Sequence, residues 1–252
     1  MKPLRGKTPW CHRLACEAIT IMELLIVISI IALLSALAVP AIRALTRSNT
    51  ISSANRQLLD DFALARQRAI NEASVVHVVF VPTWDELNNN KATLLSGSER
   101  NKSAFTNIWA GAQTRYALYA ERSAGDQPGQ HHGRYLTGWH ALPEGVFIPE
   151  SELNRLERMK LPFPTVDGQR YGLPHIAFDY SGSIVDQNGS RHPEGAFLAL
   201  ARGSVLISRD SSGAVTDFDA LENPPGNSSN NFNHIRINGL TGRARVERPE
   251  IQ

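Results

Sequence analysis

Residues 19–39 read ITIMELLIVISIIALLSALAV, and this stretch decides the architecture that the sequence predicts. Its only charged residue is Glu23, and apolar side chains fill most of the other positions. A helix rises about 1.5 Å per residue, so a helix of this length covers the hydrocarbon core of a bilayer, which is about 30 Å thick. The pattern therefore predicts a transmembrane helix at 19–39.

Basic residues flank this run on both sides and predict its orientation. The charged residues nearest to it are Lys2, Arg5, Lys7, Arg13 and Glu17 on the N-terminal side and Arg43, Arg47 and Arg56 on the C-terminal side. The positive-inside rule favours a cytoplasmic N-terminus. We therefore expect most of the chain to lie on the opposite side of the membrane.

Two simpler interpretations of the run remain open. In the first, the run is a secretory signal peptide, because the small residues Ala36 and Ala38 form a small-x-small site behind a basic and an apolar region. In the second, it is an uncleaved anchor. Glu23 disfavours both, because a carboxylate inside an apolar helix is costly and serves neither role.

The 14 residues that begin at Ala18, AITIMELLIVISII, resemble the N-terminal motif of type IV prepilins and type II secretion pseudopilins. In that family a prepilin peptidase cuts before the apolar run and methylates the new N-terminus. The resemblance therefore implies cleavage between Ala18 and Ile19, where the family usually has Gly and Phe, and N-methylation of Ile19. It also implies that Glu23 pairs with the new amine of a neighbouring subunit during assembly, since two opposite charges attract strongly where water is scarce.

Composition excludes several other classes. The chain has 252 residues, with 26 Lys and Arg against 24 Asp and Glu, so its net charge of +2 gives no strong field for a nucleic-acid-coating protein. The two cysteines, Cys11 and Cys16, both fall in the leader at 1–18. A disulfide framework or a cysteine-rich zinc site in the rest of the chain is therefore excluded.

The next stretch predicts a second helical section at 40–73. Pro40 should kink the helix, because proline removes a backbone donor. Apolar residues then recur at steps of three and four: Ile51, Ala54, Leu58, Phe62, Ala65, Ala69 and Ala73. This spacing predicts an amphipathic stalk helix with one face to bury.

Only one of the 18 glycines precedes residue 97, and the chain beyond residue 74 reads as short strands separated by turns. We expect strands near 75–81, 115–120, 146–148, 175–180, 183–185, 196–201, 204–208, 234–238 and 243–247, and a short helix near 151–160. Residues 55–81 and 175–247 resemble the minor pseudopilin H family and related minor pilins. The expected fold class is α+β, with a long N-terminal transmembrane and stalk helix packed on a C-terminal antiparallel β head, the pilin-like lollipop. The head would span 74–252, with an elaborated region at 82–170.

Motifs for catalysis or cofactor binding are weak or absent. The sequence contains no P-loop, G-x-G-x-x-G, H-E-x-x-H or G-x-S-x-G motif. His131, His132 and His140 with Asp126 suggest a weak metal hypothesis, whereas His77 on a valine-rich strand suggests a sheet histidine. A weak calcium hypothesis rests on the carboxylates of a Ser/Gly/Asn-rich stretch, Asp210, Asp217, Asp219 and Glu222. Arg243 and Arg245, on one face of a strand, are candidate DNA contacts, although Glu247 and Glu250 beside them favour an ordinary solvated face.

The resemblance implies a non-enzymatic role. The expected protein is a structural minor pseudopilin of a type II secretion system, in the inner membrane with a periplasmic head. Its expected partners are other pseudopilins, the prepilin peptidase, the inner-membrane secretion platform and membrane lipid; nucleic acid is not expected as a partner. No cofactor or metal is expected, apart from the calcium alternative. Two other functions stay open: a minor pilin of a type IV pilus with a DNA-binding or adhesive head, and a membrane-anchored hydrolase.

Overall fold

The computed structural model describes residues 20–95, 98–122, 132–211, 215–230 and 234–247; the side chains of 37–49 and of residue 230 are outside this description. The chain divides into two compact units, Met1–Thr46 and Arg47–Gln252. Ala18 and Ile19, the residues of the expected cleavage site, lie outside the described residues.

The first helix, α1, runs from Ile21 to Glu72. The Thr20 hydroxyl accepts a hydrogen bond from the backbone N–H of Glu23 at 3.2 Å, which is the bond expected of an N-capping threonine. Pro40 lies within the helical backbone. The helix ends at Glu72, and the next residue, Ala73, has a φ of 46°, in the left-handed region.

The predicted transmembrane stalk is wrong, and with it the predicted fold class and the predicted single-pass inner-membrane localisation. Within the part of the chain that the structure describes, no helix combines the length and the apolar character needed to cross a membrane.

Most of the described elements are antiparallel strands rather than helices. The strands are β1 (Val76–Phe80), β2 (Arg115–Ala120), β3 (Arg134–Tyr135), β4 (His140–Ala141), β5 (Val146–Phe147), β6 (Arg158–Phe163), β7 (Gln169–Phe178), β8 (Ile184–Val185), β9 (Ala196–Ala199), β10 (Ala201–Arg209), β11 (Val215–Glu222), β12 (His234–Ile237) and β13 (Ala244–Glu247). Most of the expected strands coincide with these, whereas β3, β4, β6 and β11 were not expected.

Three sheets contain these strands. The largest has the order β3-β2-β1-β7-β6, with β4 also paired to β2 and β8 also paired to β7. The second has the order β11-β10-β5 and the third β13-β12-β9. Every strand pair among them is antiparallel.

The other helices in the described chain are short: α2 (Trp84–Asn89), α3 (Lys91–Leu94), α4 (Glu99–Trp109), α5 (Glu150–Arg155) and α6 (Asn227–Asn230). Helix α5 ends earlier than the helix expected at 151–160, because residues from Arg158 onward pair with β7 as part of β6. The region at 82–170 therefore contributes four helices, α2 to α5, and several strands of the main sheet.

The main sheet is covered on both faces, which explains why β1 is buried along its whole length. Val76, Val78 and Phe80 belong to a hydrophobic cluster that includes the apolar stripe of α1. Val79 belongs to a second cluster built from α2, α4 and β6. The prediction of one buried face on α1 is confirmed from Ile51 to Ala69, while Ala73 lies beyond the helix and is exposed.

Candidate assembly surface

Large apolar side chains are exposed along the first part of α1. Ile21 is 85% exposed and Met22 74% exposed, and nine more are at least half exposed: Leu24, Leu25, Ile26, Val27, Ile28, Ile30, Ile31, Leu33 and Leu34. Because these residues follow one another almost without a break, they surround the helix on all sides. We call residues 21–36 the apolar segment. A helix that is apolar all round is normally buried, so this segment needs a cover.

Glu23 is the only charged residue of the apolar segment, and it is exposed in the first turn of α1. A carboxylate is favourable there, because the first turn of a helix carries the positive end of the helix dipole. Another polar group of the segment, the Ser29 hydroxyl, donates to the backbone carbonyl of Leu25 at 2.7 Å, so the helix itself satisfies it. Among the described residues, no ion pair involves Glu23. Its carboxylate is therefore free to bind a positively charged group.

The second part of α1 is fixed to the main sheet by a polar cluster. The Tyr116 hydroxyl donates to Oδ2 of Asp61 at 2.6 Å, and Nδ1 of His140 lies 3.0 Å from the same oxygen. Gln57 donates from Nε2 to the Tyr116 hydroxyl at 2.9 Å and to the carbonyl of Ala141 at 3.0 Å. These contacts connect α1 to both β2 and β4.

Tyr116 is the buried centre of this cluster. Burial raises the pKa of its phenol, and the hydrogen bond to the Asp61 carboxylate and the charge of that carboxylate raise it further. The phenol therefore stays protonated and keeps donating to Asp61 across the ordinary pH range. The arrangement positions α1 on the sheet.

Two further contacts hold the end of α1. Glu72 accepts from Arg68 at 3.3 Å and from Arg134, the first residue of β3, at 3.4 Å. Arg66 donates from Nε to the carbonyl of Thr241 at 2.6 Å, which links α1 to the turn between β12 and β13. The residues from 50 to 72 thus form an integral part of the unit Arg47–Gln252.

The candidate DNA contacts lie at this C-terminal hairpin. Arg243 is exposed just before β13, and Arg245 is exposed within it. Glu247 accepts from the Arg245 guanidinium at 2.5 Å and lies 3.7 Å from Arg236 on the adjacent strand. One carboxylate therefore offsets two of the arginines on this face, and DNA contact stays a prediction.

The residues of the calcium hypothesis are not gathered in a loop. Asp217, Asp219 and Glu222 belong to β11, and alternation places Glu222 on the opposite face from the other two. In the described part of the chain, no group of three or more His, Cys, Asp and Glu residues is arranged to hold a metal ion. Asp126 and His131 of the weaker metal hypothesis lie outside the described residues.

His77 is a sheet histidine with a partner, as the sequence suggested. Its Nε2 lies 3.0 Å from Oε1 of Glu121, and its ring centroid lies 5.1 Å from that of His175 on β7. Burial lowers the pKa of His175 to about 4, and the nearby His77 adds to the effect. This buried histidine pair was not predicted, because the two residues are far apart in sequence.

No protein-family model, no curated protein and no solved structure matches this chain. The interpretation as a pseudopilin therefore rests on the resemblance in the sequence alone.

Proposed function

We propose that this chain is a structural subunit of the minor pseudopilin type, which assembles with pilin-like partners into the pseudopilus of a type II secretion system. The apolar segment of α1 is the assembly element. The unit Arg47–Gln252 is the head that each subunit adds to the assembly. No catalytic step belongs to this function.

The observation that carries the proposal is the exposure of the apolar segment. Eleven large apolar side chains between Ile21 and Leu34 are half exposed or more in the single chain. An apolar surface of this continuity is typical of an interaction surface. Helices of the same kind from neighbouring subunits would cover it on all sides, because a helix inside a bundle is surrounded by other helices.

Glu23 supports the same proposal. A single carboxylate on an otherwise apolar helix would be buried at a high cost as subunits pack together, unless it met a positive charge. Cleavage before Ile19 would create such a charge, an α-amine, four residues before Glu23. The pair of Glu23 with the amine of a neighbouring subunit would fix the axial register between helices.

Photo-crosslinking in the native host tests the assembly element. A photoreactive phenylalanine derivative at Ile28, in the full chain, should give covalent adducts with pilin-like proteins identified by mass spectrometry. The same group at Asn188, an exposed residue in the turn that follows β8, serves as the control. Adducts at both positions alike, or adducts at Ile28 that contain no pilin-like protein, would refute the assembly role.

Glu23→Gln tests the charge pair, because it removes the charge and keeps the shape. We expect the variant to fold normally and to co-purify with its partners about tenfold less, a loss in the range seen when one member of a close charge pair is removed. Ser29→Ala is the matched control, since the Ser29 hydroxyl bonds within its own helix. Equal recovery of partners with both variants would show that Glu23 has no role in assembly.

A further inference from the structure

A groove of about 400 Å³ lies on the unit Arg47–Gln252, and all the residues that line it belong to this unit. One wall contains Trp84 and Asp85 at the start of α2, together with Glu150 at the start of α5. Another part of the lining comes from β11, with Phe218, Asp219, Ala220 and Glu222. We call this cavity the acidic groove.

The acidic groove runs along the edge of β11 rather than over one face of it. Three consecutive residues, Phe218, Asp219 and Ala220, line it, although neighbouring side chains in a strand point to opposite faces. Among the described strands β11 pairs only with β10, so its other edge is open. At present the N–H of Phe218 donates to the carboxylate of the preceding Asp217 at 2.9 Å, a bond that an added strand would replace. An open strand edge is a ready template for pairing with another chain.

The charge of the groove is one-sided. Four carboxylates line it, Asp85, Glu150, Asp219 and Glu222, and no lysine or arginine does. None of the ion pairs of the described residues involves these carboxylates. Aromatic rings of Trp84, Phe147 and Phe218 lie among them. Carboxylates beside aromatic faces are the surroundings that favour a lysine or arginine side chain.

Two polar groups at the groove lack partners. Gln113 lines it and is only 6% exposed, yet no hydrogen bond joins its side chain to another described residue. The indole Nε1 of Trp84 is buried without a hydrogen-bond partner. Buried polar groups are normally satisfied, so a buried glutamine with an unused amide points to a ligand that supplies the missing bonds. Gln113 also has a φ of 60°, an unusual backbone conformation for a residue other than glycine.

We propose that the acidic groove binds an extended basic segment of a partner protein, which adds as a strand to the open edge of β11. The main chain of the segment would pair with β11, as in other cases of strand addition. Its lysine or arginine side chains would lie among the four carboxylates, and its apolar side chains would face Trp84 and Phe218. This site goes beyond the assembly function and does not depend on it.

Peptide binding to the full chain, kept in solution by a non-ionic detergent, tests the proposal. The probe is a fluorescein-labelled octapeptide of alternating valine and lysine, measured by fluorescence anisotropy. It should bind saturably, whereas a peptide with glutamate in place of lysine should not. A third peptide, N-methylated at alternate amides, loses main-chain donors and should also fail to bind. Equal binding of the N-methylated peptide would rule out strand addition.

Variants locate the binding site. Asp219→Asn with Glu150→Gln removes one charge from β11 and one from α5, and should weaken binding about tenfold or more. Glu144→Gln with Asp167→Asn, at exposed positions that do not line the groove, changes the net charge equally and should leave the affinity within about twofold. Equal weakening by both pairs would mean general attraction between a basic peptide and an acidic surface, and the proposal would be wrong.

Gln113→Leu gives an independent test of the unused amide. The substitution removes no hydrogen bond between described residues, so the free energy of unfolding should not fall, while the affinity for the valine-lysine peptide should drop severalfold. Unchanged affinity would remove Gln113 from the site. Absence of saturable binding by the unmodified chain at millimolar peptide would overturn the whole proposal.

Discussion

At the scale of single residues, Ala73 ends α1 in a conformation that alanine rarely adopts. The backbone N–H of Ser74 donates to the carbonyl of Ala69 at 3.1 Å, and the backbone N–H of Ala73 donates to that of Ile70 at 3.4 Å. These are the two bonds of a Schellman motif. Such motifs usually have glycine at the position with positive φ. The apolar spacing predicted Ala73 as part of the buried face, because periodicity carries no information about where a helix stops.

Ala73→Gly should therefore stabilise the protein. Left-handed backbone costs alanine about 1 to 2 kcal/mol, and the greater freedom of glycine in the unfolded chain cancels part of the gain. We expect the free energy of unfolding, measured with urea, to rise by about 0.5 to 1 kcal/mol. Ala69→Gly is the matched control: Ala69 is buried inside the helix, so the same change should cost about 1 kcal/mol or more. Destabilisation by both substitutions would contradict the assigned end of α1.

His175 should make stability depend on pH. Burial and His77 lower its pKa from the ordinary 6.5 to about 4 in the folded protein. Between these values the unfolded chain binds a proton that the folded chain does not. The contribution of neutral His175 to the free energy of unfolding is therefore complete above about pH 6.5. This free energy falls by up to about 3 kcal/mol as the pH falls towards 4.

The effect can be isolated with His175→Leu. The Nδ1–H of the imidazole donates to the carbonyl of Glu157, 3.0 Å away, so the variant should be less stable at pH 7. Its stability should nevertheless change less between pH 6.5 and 4.5 than that of the unmodified protein. Denaturant unfolding at several pH values measures both. The same slope in both proteins would show that His175 is not the titrating group.

At the scale of secondary-structure elements, the polar cluster around Tyr116 decides how α1 is fixed to β2 and β4. Tyr116→Phe would remove the hydroxyl that donates to Asp61 at 2.6 Å and would leave a largely buried carboxylate with one hydrogen-bond partner fewer. We expect a loss of about 1 to 3 kcal/mol in the free energy of unfolding. Tyr180→Phe, at a tyrosine that is 65% exposed, should change stability little. Equal effects of the two substitutions would argue against the cluster.

Elements differ in how well the sequence predicts them. The buried stripe of α1 and the strand 115–120 were predictable because each follows the period of its own secondary structure. The strand β11 was not expected, since the Ser/Gly/Asn-rich stretch that contains it suggested a calcium site rather than a strand. Pairing with β10, where Leu206 lies opposite Asp219 and Ile207 opposite Phe218, decides its conformation instead. Contacts between distant positions, such as Asp61 with His140, cannot be read from periodicity.

At the scale of the whole molecule, the apolar run was correctly expected to form a helix but wrongly expected to span a membrane. Hydropathy reports that a segment avoids water, and it does not report what covers the segment. Exposed apolar side chains from Ile21 to Leu34 are equally compatible with a cover of other helices. For the same reason, the motif at 18–31 indicates a protein family but does not indicate whether lipid or other helices cover the segment.

The unit Arg47–Gln252 should fold without the residues that precede it. Among the described residues, every member of the two hydrophobic clusters lies at Ile51 or beyond. A chain that starts at Arg47 should therefore melt cooperatively, within about 2 to 4 °C of the full chain, a shift equivalent to about 1 kcal/mol. It should also be monomeric by light scattering, whereas the full chain should self-associate through its exposed apolar segment unless detergent is present. If the shortened chain associates as strongly as the full chain, the association surface lies on the head, and the apolar segment is not the assembly element.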